Sequence, residues 1–301
     1  MNAPLPTPTD HLRDVPAPAK LNLFLHINGR RPDGYHLLQS VFMLIDWSDT
    51  LHFQRLDDGQ ICRIDTAPDA SLPAEDLTVR AARLLQQATG CRLGVQITLD
   101  KHIPAEAGMG GGSSDAASTL IALNRLWQLG LSRAQLAHIG LQLGADVPFF
   151  VHGRNAWVEG VGESITPVHL PTTPFVVVKP PEGVSTQRIF TSPDLQRSTK
   201  TATMLSFAAN GSPGKDGSVV LDLAVLLKNS HNDLEPVAQA LCPAVGECIR
   251  WLKHQGLQAR MTGSGSAVFA PLWTPQKLAP AVPGWTVREC SNQDVHPLLG
   301  W

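Results

Sequence analysis

The stretch Gly108-Met109-Gly110-Gly111-Gly112-Ser113-Ser114 is the part of this sequence that best indicates its fold and chemistry. It lies between a predicted strand, Gly94 to Leu99, and a predicted amphipathic helix that begins near Ser114. Because glycine has no Cβ, backbone N–H groups in such a loop can approach an anion closely. The free N–H groups at the start of the following helix also favour negative charge. The pattern predicts a phosphate-binding loop, with the Ser113 and Ser114 hydroxyls as further donors to phosphate or as ligands of Mg²⁺.

This loop differs from two common phosphate-binding loops. A Walker A loop ends in Gly-Lys-Ser/Thr, whereas here Gly112 is followed by Ser113 without a lysine. The dinucleotide fingerprint Gly-x-Gly-x-x-Gly also fails, since Ser113 stands at its third glycine position after Gly108 and Gly110. A flexible linker is disfavoured, because a strand and an amphipathic helix adjoin the loop directly. We therefore expect a different class of ATP loop.

Composition narrows the class of protein. The chain has 301 residues, 43% hydrophobic and 17% charged, which suffices for one large or two ordinary domains with a buried core. Its formal net charge of −2 disfavours nucleic-acid binding. The five cysteines show no Cys-x-x-Cys spacing, which indicates reduced thiols in the cytoplasm rather than disulfides or a zinc site. The apolar runs are too short to span a bilayer, and residues 1–15 do not read as a signal peptide.

Strands and helices follow one another without a strict βαβ repeat, which predicts an α+β fold. Besides the strand before the loop, strands are predicted around Leu21–Leu25 and at 41–45, 50–53, 175–178 and 267–269. Helices are predicted after Asp76, after the glycine-rich loop, at 132–143 and at 237–252.

Two segments lack such periodicity. Residues 1–15 are expected to form a loose tail, and residues 192–218, rich in Ser, Thr, Gly and Pro, a loop or mobile insertion. A boundary near residue 165 divides the chain into two expected domains, 1–165 and 166–301.

Several segments resemble the GHMP kinases, a superfamily that includes galactokinase, homoserine kinase, mevalonate kinase and phosphomevalonate kinase. The glycine-rich loop alone indicates the superfamily. Arg31–His36 and Gly144–Phe150 are more specific, and together they resemble the 4-diphosphocytidyl-2-C-methyl-D-erythritol kinases within it. The resemblance runs from Ala17 to about residue 295, and its other matching segments are Pro18–Leu23, Lys101–Ala117 and Met261–Gly265.

The resemblance implies a two-domain GHMP kinase fold of the α+β class, with the active site in the interdomain cleft. An N-terminal domain would bind ATP and a C-terminal domain the substrate. The implied reaction transfers a phosphoryl group from ATP, with Mg²⁺, to the 2-hydroxyl of 4-diphosphocytidyl-2-C-methyl-D-erythritol in the non-mevalonate (MEP) isoprenoid pathway. The expected partner is thus a small molecule in the cytoplasm, rather than nucleic acid or a membrane.

Site residues carry over from the same resemblance. The implied catalytic pair is Lys20 and Asp146. The implied ATP-binding residues are Leu77, in the adenine pocket, and Pro104, Ala105, Glu106, Ala107, Gly108, Met109, Gly110, Gly111, Gly112, Ser113 and Ser114. The implied substrate-binding residues are Asn22, Tyr35, His36, Thr186 and Phe190.

The implied catalytic residues have the chemistry that transfer to an alcohol needs. Asp146 could accept the hydroxyl proton as a general base, a role worth about 10²–10⁴-fold in rate. Lys20 could keep Asp146 charged, orient it and offset charge on the transferring group. Without the resemblance, a turn carboxylate and a solvated charge at a strand end would be the better interpretations of these two residues.

Tyr35 is the single tyrosine of the chain, and it directly follows the turn residues Asp33-Gly34. That position favours an exposed rim over the core even without the resemblance. The ring could stack on cytosine, with His36 at the base edge and Phe190 on the other face.

Two further features of the sequence bear on the predicted phosphate site. Glu106 brings a carboxylate to an anion-binding loop, so we expect it to point outward. Gly263-Ser264-Gly265 is consistent with a close backbone approach to substrate phosphates or ATP, and equally with a β-turn before the strand at 267–269.

Three other functions compete with this interpretation. Another small-alcohol GHMP kinase, of the homoserine or mevalonate type, is disfavoured by Tyr35-His36, since those substrates carry no nucleobase. A non-catalytic nucleotide-binding relative would have a degraded loop or lack Lys20 or Asp146, and all are intact. A structural or RNA-associated protein is disfavoured by the lack of basic charge.

Overall fold

A computed structural model describes residues 10–65, 73–209 and 217–301, which hold eleven strands and eight α-helices. The strands are β1 (His11–Arg30), β2 (His36–Leu56), β3 (Ile61–Asp65), β4 (Gly94–Asp100), β5 (Ala156–Gly160), β6 (Ser164–His169), β7 (Pro174–Lys179), β8 (Val219–Val220), β9 (Arg260–Met261), β10 (Val268–Pro271) and β11 (Thr286–Gln293). The helices are α1 (Leu77–Thr89), α2 (Gly111–Leu126), α3 (Arg133–Leu141), α4 (Val147–His152), α5 (Thr186–Thr191), α6 (Leu223–Lys228), α7 (Glu235–Leu241) and α8 (Pro243–Lys253). Strands and helices share the chain without a regular βαβ repeat, which confirms the α+β class.

The long strand β2 organises the sheet. It pairs antiparallel with β1 along one edge, with four register shifts that let this ribbon bend. Along its other edge it pairs with β5 near one end and with β4 near the other, and β11 pairs with it between them. The strands predicted at 41–45 and 50–53 are therefore one strand. The loose tail predicted for residues 1–15 was wrong from His11 onward, where β1 begins, and residues 1–9 lie outside the described residues.

Strand β11 connects the two halves of the sheet. Asn292 pairs with Ile45 of β2, while Thr286–Ser291 pair with β7, which in turn pairs with β10. The strands predicted at 175–178 and 267–269 are confirmed in β7 and β10. Sequence reasoning missed β11 because only Cys290 and Asn292 of its side chains are buried, so it shows almost no hydrophobic alternation.

Local signals account for most helix ends. The Asp76 carboxylate accepts the Val79 N–H at 3.1 Å and caps α1 as predicted. Ser132 and Gln135 form a capping box at α3. The helix predicted at 237–252 is instead two helices, α7 and α8. They separate at Cys242, because proline at 243 lacks an N–H and disfavours helical backbone in the preceding residue.

The core occupies both halves of the molecule. In the first half, α2 is buried from Ser114 through Leu123 against the sheet, α1 and α4. In the second half, α7 and α8 pack on β7 and β10. The segment predicted as an insertion is anchored there, since Leu195 and Phe207 are buried in the core. Its residues 210–216 lie outside the described residues.

The predicted boundary at residue 165 falls inside β6 and stays a prediction. Within the described parts of the chain, none of the helices has the length and apolar character needed to cross a membrane.

Candidate active site

One cleft of about 1570 Å³ brings the predicted site residues together from distant parts of the chain. The glycine-rich loop lines it, together with the residues just before α4 and the middle and end of β1. The start of α5 and the turn at 263–265 also line it. Of the predicted residues, those that line the cleft are Lys20, Asn22, Tyr35, His36, Leu77, Pro104, Ala105, Glu106, Ala107, Gly108, Met109, Gly110, Gly111, Gly112, Ser113, Asp146, Thr186 and Phe190. Only Ser114, among the predicted residues, does not.

Lys20 and Asp146 form an ion pair in this cleft. The Lys20 Nζ atom lies 3.4 Å from Asp146 Oδ2 and 4.7 Å from the centroid of the Phe42 ring, and it also donates to Asn22 Oδ1. Lys20 sits inside β1 and is only 4% exposed, so it is not a solvated charge at a strand end. Asp146 precedes α4, yet its carboxylate makes no capping bond and its side chain is 32% exposed. The carboxylate is therefore accessible to a substrate.

Asn22 orients the lysine. Its Nδ2 atom donates to Ser40 Oγ at 3.0 Å, which directs Oδ1 toward the Lys20 ammonium. Its backbone N–H donates to Thr262 Oγ1 at 2.8 Å. Asn22 thus links β1, β2 and the 262–265 turn at the point where the Lys20 side chain projects.

The glycine-rich loop is held against β1 and opens directly into α2. Lys20 N donates to the Met109 carbonyl at 3.0 Å. Gly110 caps α2 with a φ of 70°, and a Cβ there would lie 3.1 Å from Lys20 Cε. Ser114 N donates to the Gly110 carbonyl, while the earlier N–H groups of the first turn have no intrahelical partner. An anion would meet these N–H groups first. Helix α2 begins at Gly111, three residues before the helix start that the sequence predicts.

The Gly263-Ser264-Gly265 segment is a turn packed on the glycine-rich loop. Gly265 N donates to the Thr262 carbonyl at 2.9 Å, and a Cβ on Gly263 would lie 2.6 Å from the Gly108 carbonyl oxygen. Conversely, a Cβ on Gly108 would lie 2.3 Å from the Thr262 carbonyl oxygen. The close backbone approach that the glycines allow is therefore between these two loops, and a ligand is not needed to explain it.

Ser114 departs from its expected role. Its hydroxyl donates to the Pro18 carbonyl at 2.6 Å, and the residue is fully buried. This hydroxyl joins α2 to β1 in the interior, which contradicts our expectation that it contacts phosphate. Ser113, in contrast, lines the cleft.

Glu106 is exposed, as expected for a carboxylate beside an anion-binding loop. It packs so closely against Gly183 that a Cβ there would lie 1.9 Å from Glu106 Oε2. Burial lowers the pKa of nearby Lys179, and the charges of Glu106 and Glu182 oppose this. The Glu106 carboxylate thus interacts electrostatically with the Lys179 ammonium.

A buried charge cluster beside the loop was missed by sequence reasoning. Lys101 Nζ binds Asp49 Oδ2 and lies 2.8 Å from Asp115 Oδ2. A Cβ on Gly111 would lie 3.3 Å from the same ammonium. Lys101 lies in a segment that matches the family, but its partners Asp49 and Asp115 are 52 and 14 residues away in sequence, so no local pattern indicates the cluster.

The cluster has unusual proton affinities. Burial raises the pKa of Asp115 to about 8, and the Lys101 ammonium opposes this only in part. Burial lowers the pKa of Lys101, but Asp115 and Asp49 together raise it by more. The Asp49 Oδ1 atom also accepts the N–H groups of His102 and Ile103 at 2.6 and 2.7 Å. Asp49 therefore fixes both the lysine and the backbone that leads into the glycine-rich loop.

The other end of the cleft carries three aromatic rings, of which Tyr35 is exposed while His36 and Phe190 are partly buried. Tyr35 is 65% exposed, as its position after the turn predicts. The ring that packs on Phe190 is that of His36, with centroids 5.1 Å apart. Arg197 Nε donates to His36 Nε2 at 3.2 Å, a contact that sequence reasoning did not foresee. Thr186 Oγ1 lies 2.7 Å from Ser264 Oγ, which connects the start of α5 to the 262–265 turn.

Comparison with known proteins places the chain in a family. The model described as GHMP kinases N terminal domain matches residues 76–154, and the model described as GHMP kinases C terminal matches residues 221–285. The first match contains the glycine-rich loop and Asp146, and the second contains the 262–265 turn.

Individual relatives are similar to this chain over almost its whole length. The chain is 60% identical to a 4-diphosphocytidyl-2-C-methyl-D-erythritol kinase from Polaromonas naphthalenivorans, over 98% of this chain and 97% of the relative. A crystal structure of a 4-(cytidine 5'-diphospho)-2C-methyl-D-erythritol kinase, 32% identical, superposes with a TM-score of 0.71 over 92% of this chain and 98% of the other. A homoserine kinase from Cytophaga hutchinsonii, 16% identical, has a TM-score of 0.65 over 90% and 87% of the two chains, which shows a shared fold alone.

Proposed function

Because the chain belongs to the 4-diphosphocytidyl-2-C-methyl-D-erythritol kinases, a family of GHMP kinases, we propose that it phosphorylates the 2-hydroxyl of that cytidine compound with ATP. The products are ADP and the 2-phosphate. The observation that carries this function is the position of the Lys20–Asp146 pair in one cleft between a phosphate-binding loop and an exposed aromatic rim.

Asp146 acts as the general base in this proposal. Its carboxylate takes the proton of the 2-hydroxyl, whose oxygen forms a bond to the γ-phosphorus of ATP while the bond from that phosphorus to the β-phosphate bridging oxygen breaks. The electron pair of the broken bond stays with ADP. The partial exposure of Asp146 and its lack of a capping bond leave its carboxylate accessible to the hydroxyl, although Oδ2 also pairs with Lys20.

Lys20 orients this base and offsets charge. Its ammonium lies between Asp146 and Asn22 Oδ1, and its Cε atom would lie 3.1 Å from a Cβ on Gly110, so this side chain adjoins both the base and the phosphate loop. Because the lysine is buried, its field is screened less by water than that of a surface charge. It therefore stabilises charge on the transferring group as well as on the carboxylate.

The residues of the loop fit the triphosphate of ATP. The glycines leave room for close approach of the backbone, and the first turn of α2 supplies unpaired N–H groups. The Lys101 ammonium adds a positive charge beside Gly111. Leu77, the first residue of α1, lies next to Gly112 and would form one wall of the adenine pocket.

Mg²⁺ would accompany ATP. Among the described residues no cluster of three or more His, Cys, Asp or Glu side chains could hold a metal. This suits Mg²⁺, which keeps several waters and binds mainly through substrate phosphates with one or two protein oxygens. The Ser113 hydroxyl would be one such oxygen. When bound, the ion neutralises phosphate charge.

Tyr35, His36 and Phe190 would bind the cytosine at the far end of the cleft. An exposed tyrosine beside a packed His–Phe pair offers stacking surface and a polar ring edge to a nucleobase. Thr186 lies between this rim and the 262–265 turn, a position suited to the diphosphate of the substrate. ATP and this substrate are both charged small molecules, which supports the cytoplasmic location expected from the sequence.

The test is a comparison of acceptors. Purified protein is incubated with Mg²⁺-ATP and, separately, the cytidine-linked methylerythritol, free methylerythritol phosphate, homoserine and mevalonate, and ADP release is followed. We expect ADP with the cytidine compound alone. ADP release with homoserine or mevalonate instead would contradict the proposed substrate, and none with any acceptor would favour a non-catalytic relative.

A further inference from the structure

Arg197 lies beside the rim of the cleft and binds several groups at once. Its Nε atom donates to His36 Nε2 at 3.2 Å. Its NH2 group donates to the carbonyls of Phe190 at 3.2 Å and Ser192 at 2.6 Å, and its NH1 group to the carbonyl of Leu195 at 3.1 Å. One guanidinium therefore connects β2 to the end of α5 and to the segment that follows it.

The bond to His36 selects one form of the imidazole. A ring nitrogen that accepts a hydrogen bond carries no proton, so Nε2 is the bare nitrogen and the proton of the neutral ring lies on Nδ1. A guanidinium is always charged and has only donors, so the roles in this bond cannot reverse.

The charges around His36 favour the same neutral ring. Burial lowers the pKa of His36 first, and the cations of Arg197 and Arg30 lower it further. Arg197 comes from the segment after α5, and Arg30 from the end of β1. The Phe190 ring, which packs on His36, is uncharged.

We propose that Arg197 is a positioning residue of the nucleobase site, which fixes His36 in its Nδ1–H form and holds the Phe190 backbone beside it. This inference rests on the proposed cytidine substrate. It assigns a role to part of the segment predicted as a loop or mobile insertion, since the contacts of Arg197 with Ser192 and Leu195 then hold the rim of the site. A lysine could not replace the arginine, because an ammonium cannot bind the imidazole and three carbonyls in the same planar arrangement.

The kinetic test compares Arg197→Ala and Arg197→Lys with Arg188→Ala. Arg188 is exposed on the same helix as Phe190, and its side chain has no part in the proposed site. We expect KM for the cytidine compound to rise about tenfold or more in both Arg197 variants, since charge-assisted hydrogen bonds are lost. We expect kcat and KM for ATP to stay within about twofold of wild type, and Arg188→Ala to match wild type. An unchanged KM for the cytidine compound would overturn the proposal.

A second test uses the free protein and needs no turnover. In ¹H–¹⁵N spectra of the imidazoles, with His36 assigned from a His36→Asn variant, we expect wild-type His36 to carry its proton on Nδ1. Its pKa should rise in Arg197→Ala, because one of the two cations that lower it is removed, while burial and Arg30 remain. A proton on Nε2 in the wild type would overturn the proposal even if the variants did not fold.

The two tests separate this inference from the proposed function. Absence of ADP with the cytidine compound in the wild type would remove the proposed substrate. The spectra would still decide whether Arg197 fixes His36, and titration with cytidine diphosphate would show whether the variants weaken nucleobase binding.

Discussion

The phosphate side of the cleft (residues 104–114 with Lys101) and its nucleobase side (Tyr35, His36, Phe190 and Arg197) face the same space but are constructed differently. On the phosphate side the ligand would meet backbone N–H groups at a helix start, and Gly108 packs against the backbone of the 262–265 turn. On the nucleobase side it would meet side chains at a turn, at a strand end and on a short helix, and Tyr35 is mostly exposed.

Because of this difference, we expect phosphoryl transfer to depend on one side of the cleft and substrate selection to depend on the other. Glycines in the phosphate loop serve the fold and the site together, so changes there affect stability as well as activity. On the nucleobase side Tyr35 is exposed, whereas Phe190 packs partly against the core, so a change at Tyr35 should affect substrate affinity with little effect on stability. GHMP kinases that phosphorylate different alcohols can therefore share the first side while the second differs.

Asp146→Asn should have the largest effect, because it removes the proposed base at the point where the two sides meet. We expect kcat to fall at least about 100-fold, with ATP binding little changed. Steady-state ADP release and nucleotide titration measure the two quantities. A rate close to that of the wild type would remove Asp146 from the mechanism.

Gly108→Ala tests whether the phosphate side is part of the scaffold. Its Cβ would lie 2.3 Å from the Thr262 carbonyl oxygen at a φ of 70°. We expect the free energy of unfolding to fall by about 2–5 kcal/mol, from left-handed backbone strain and overpacking, with activity lost in parallel.

Gly130→Ala is the matched control for that change. Gly130 has a φ of 68°, but a Cβ there would have no atom within 4 Å. Only the backbone strain of about 1–2 kcal/mol should therefore remain, with kcat and KM unchanged. Denaturant unfolding of both variants gives the comparison, and equal stability losses would mean that contact with the 262–265 turn does not matter.

Tyr35→Ala tests the opposite property on the nucleobase side. Loss of base stacking, worth about 1–3 kcal/mol, should raise KM for the cytidine compound roughly 5–150-fold. The free energy of unfolding should change by less than about 0.5 kcal/mol, since the side chain is exposed. Tyr35→Phe keeps the ring and should behave almost as wild type, so an equal loss in both variants would exclude stacking as the cause.

Thr186→Val should have the smallest effect. It removes the hydroxyl that lies 2.7 Å from Ser264 Oγ and would contact the diphosphate. We expect a rise of about fivefold in KM for the cytidine compound, the value of one hydrogen bond, with ATP affinity unchanged. A change in the KM for ATP instead would place Thr186 on the phosphate side.

Local sequence was sufficient where the cause is local. The Asp76 cap, the capping box at Ser132 and the glycine-rich loop each depend on residues a few positions apart, so the predicted elements at those places are confirmed. The single helix predicted over 237–252 was wrong because its apolar periodicity continues through Pro243, where the backbone cannot. Strand β11 was not predicted, because its mostly polar side chains show no hydrophobic alternation. Its pairing with β2 and β7 involves the backbone.

Sequence patterns predict the α+β class, a phosphate-binding loop and a set of candidate site residues, because these depend on glycine positions and matching motifs. The tertiary structure then brings particular residues into contact. It paired Lys20 with Asp146, buried the Ser114 hydroxyl away from the cleft, and brought Asp49 and Asp115 onto Lys101. It also brought Arg197 onto His36 across the chain. The physical reason is that a charge or hydroxyl acquires its role from its partners and burial, and these are set by strand pairing between residues far apart in sequence.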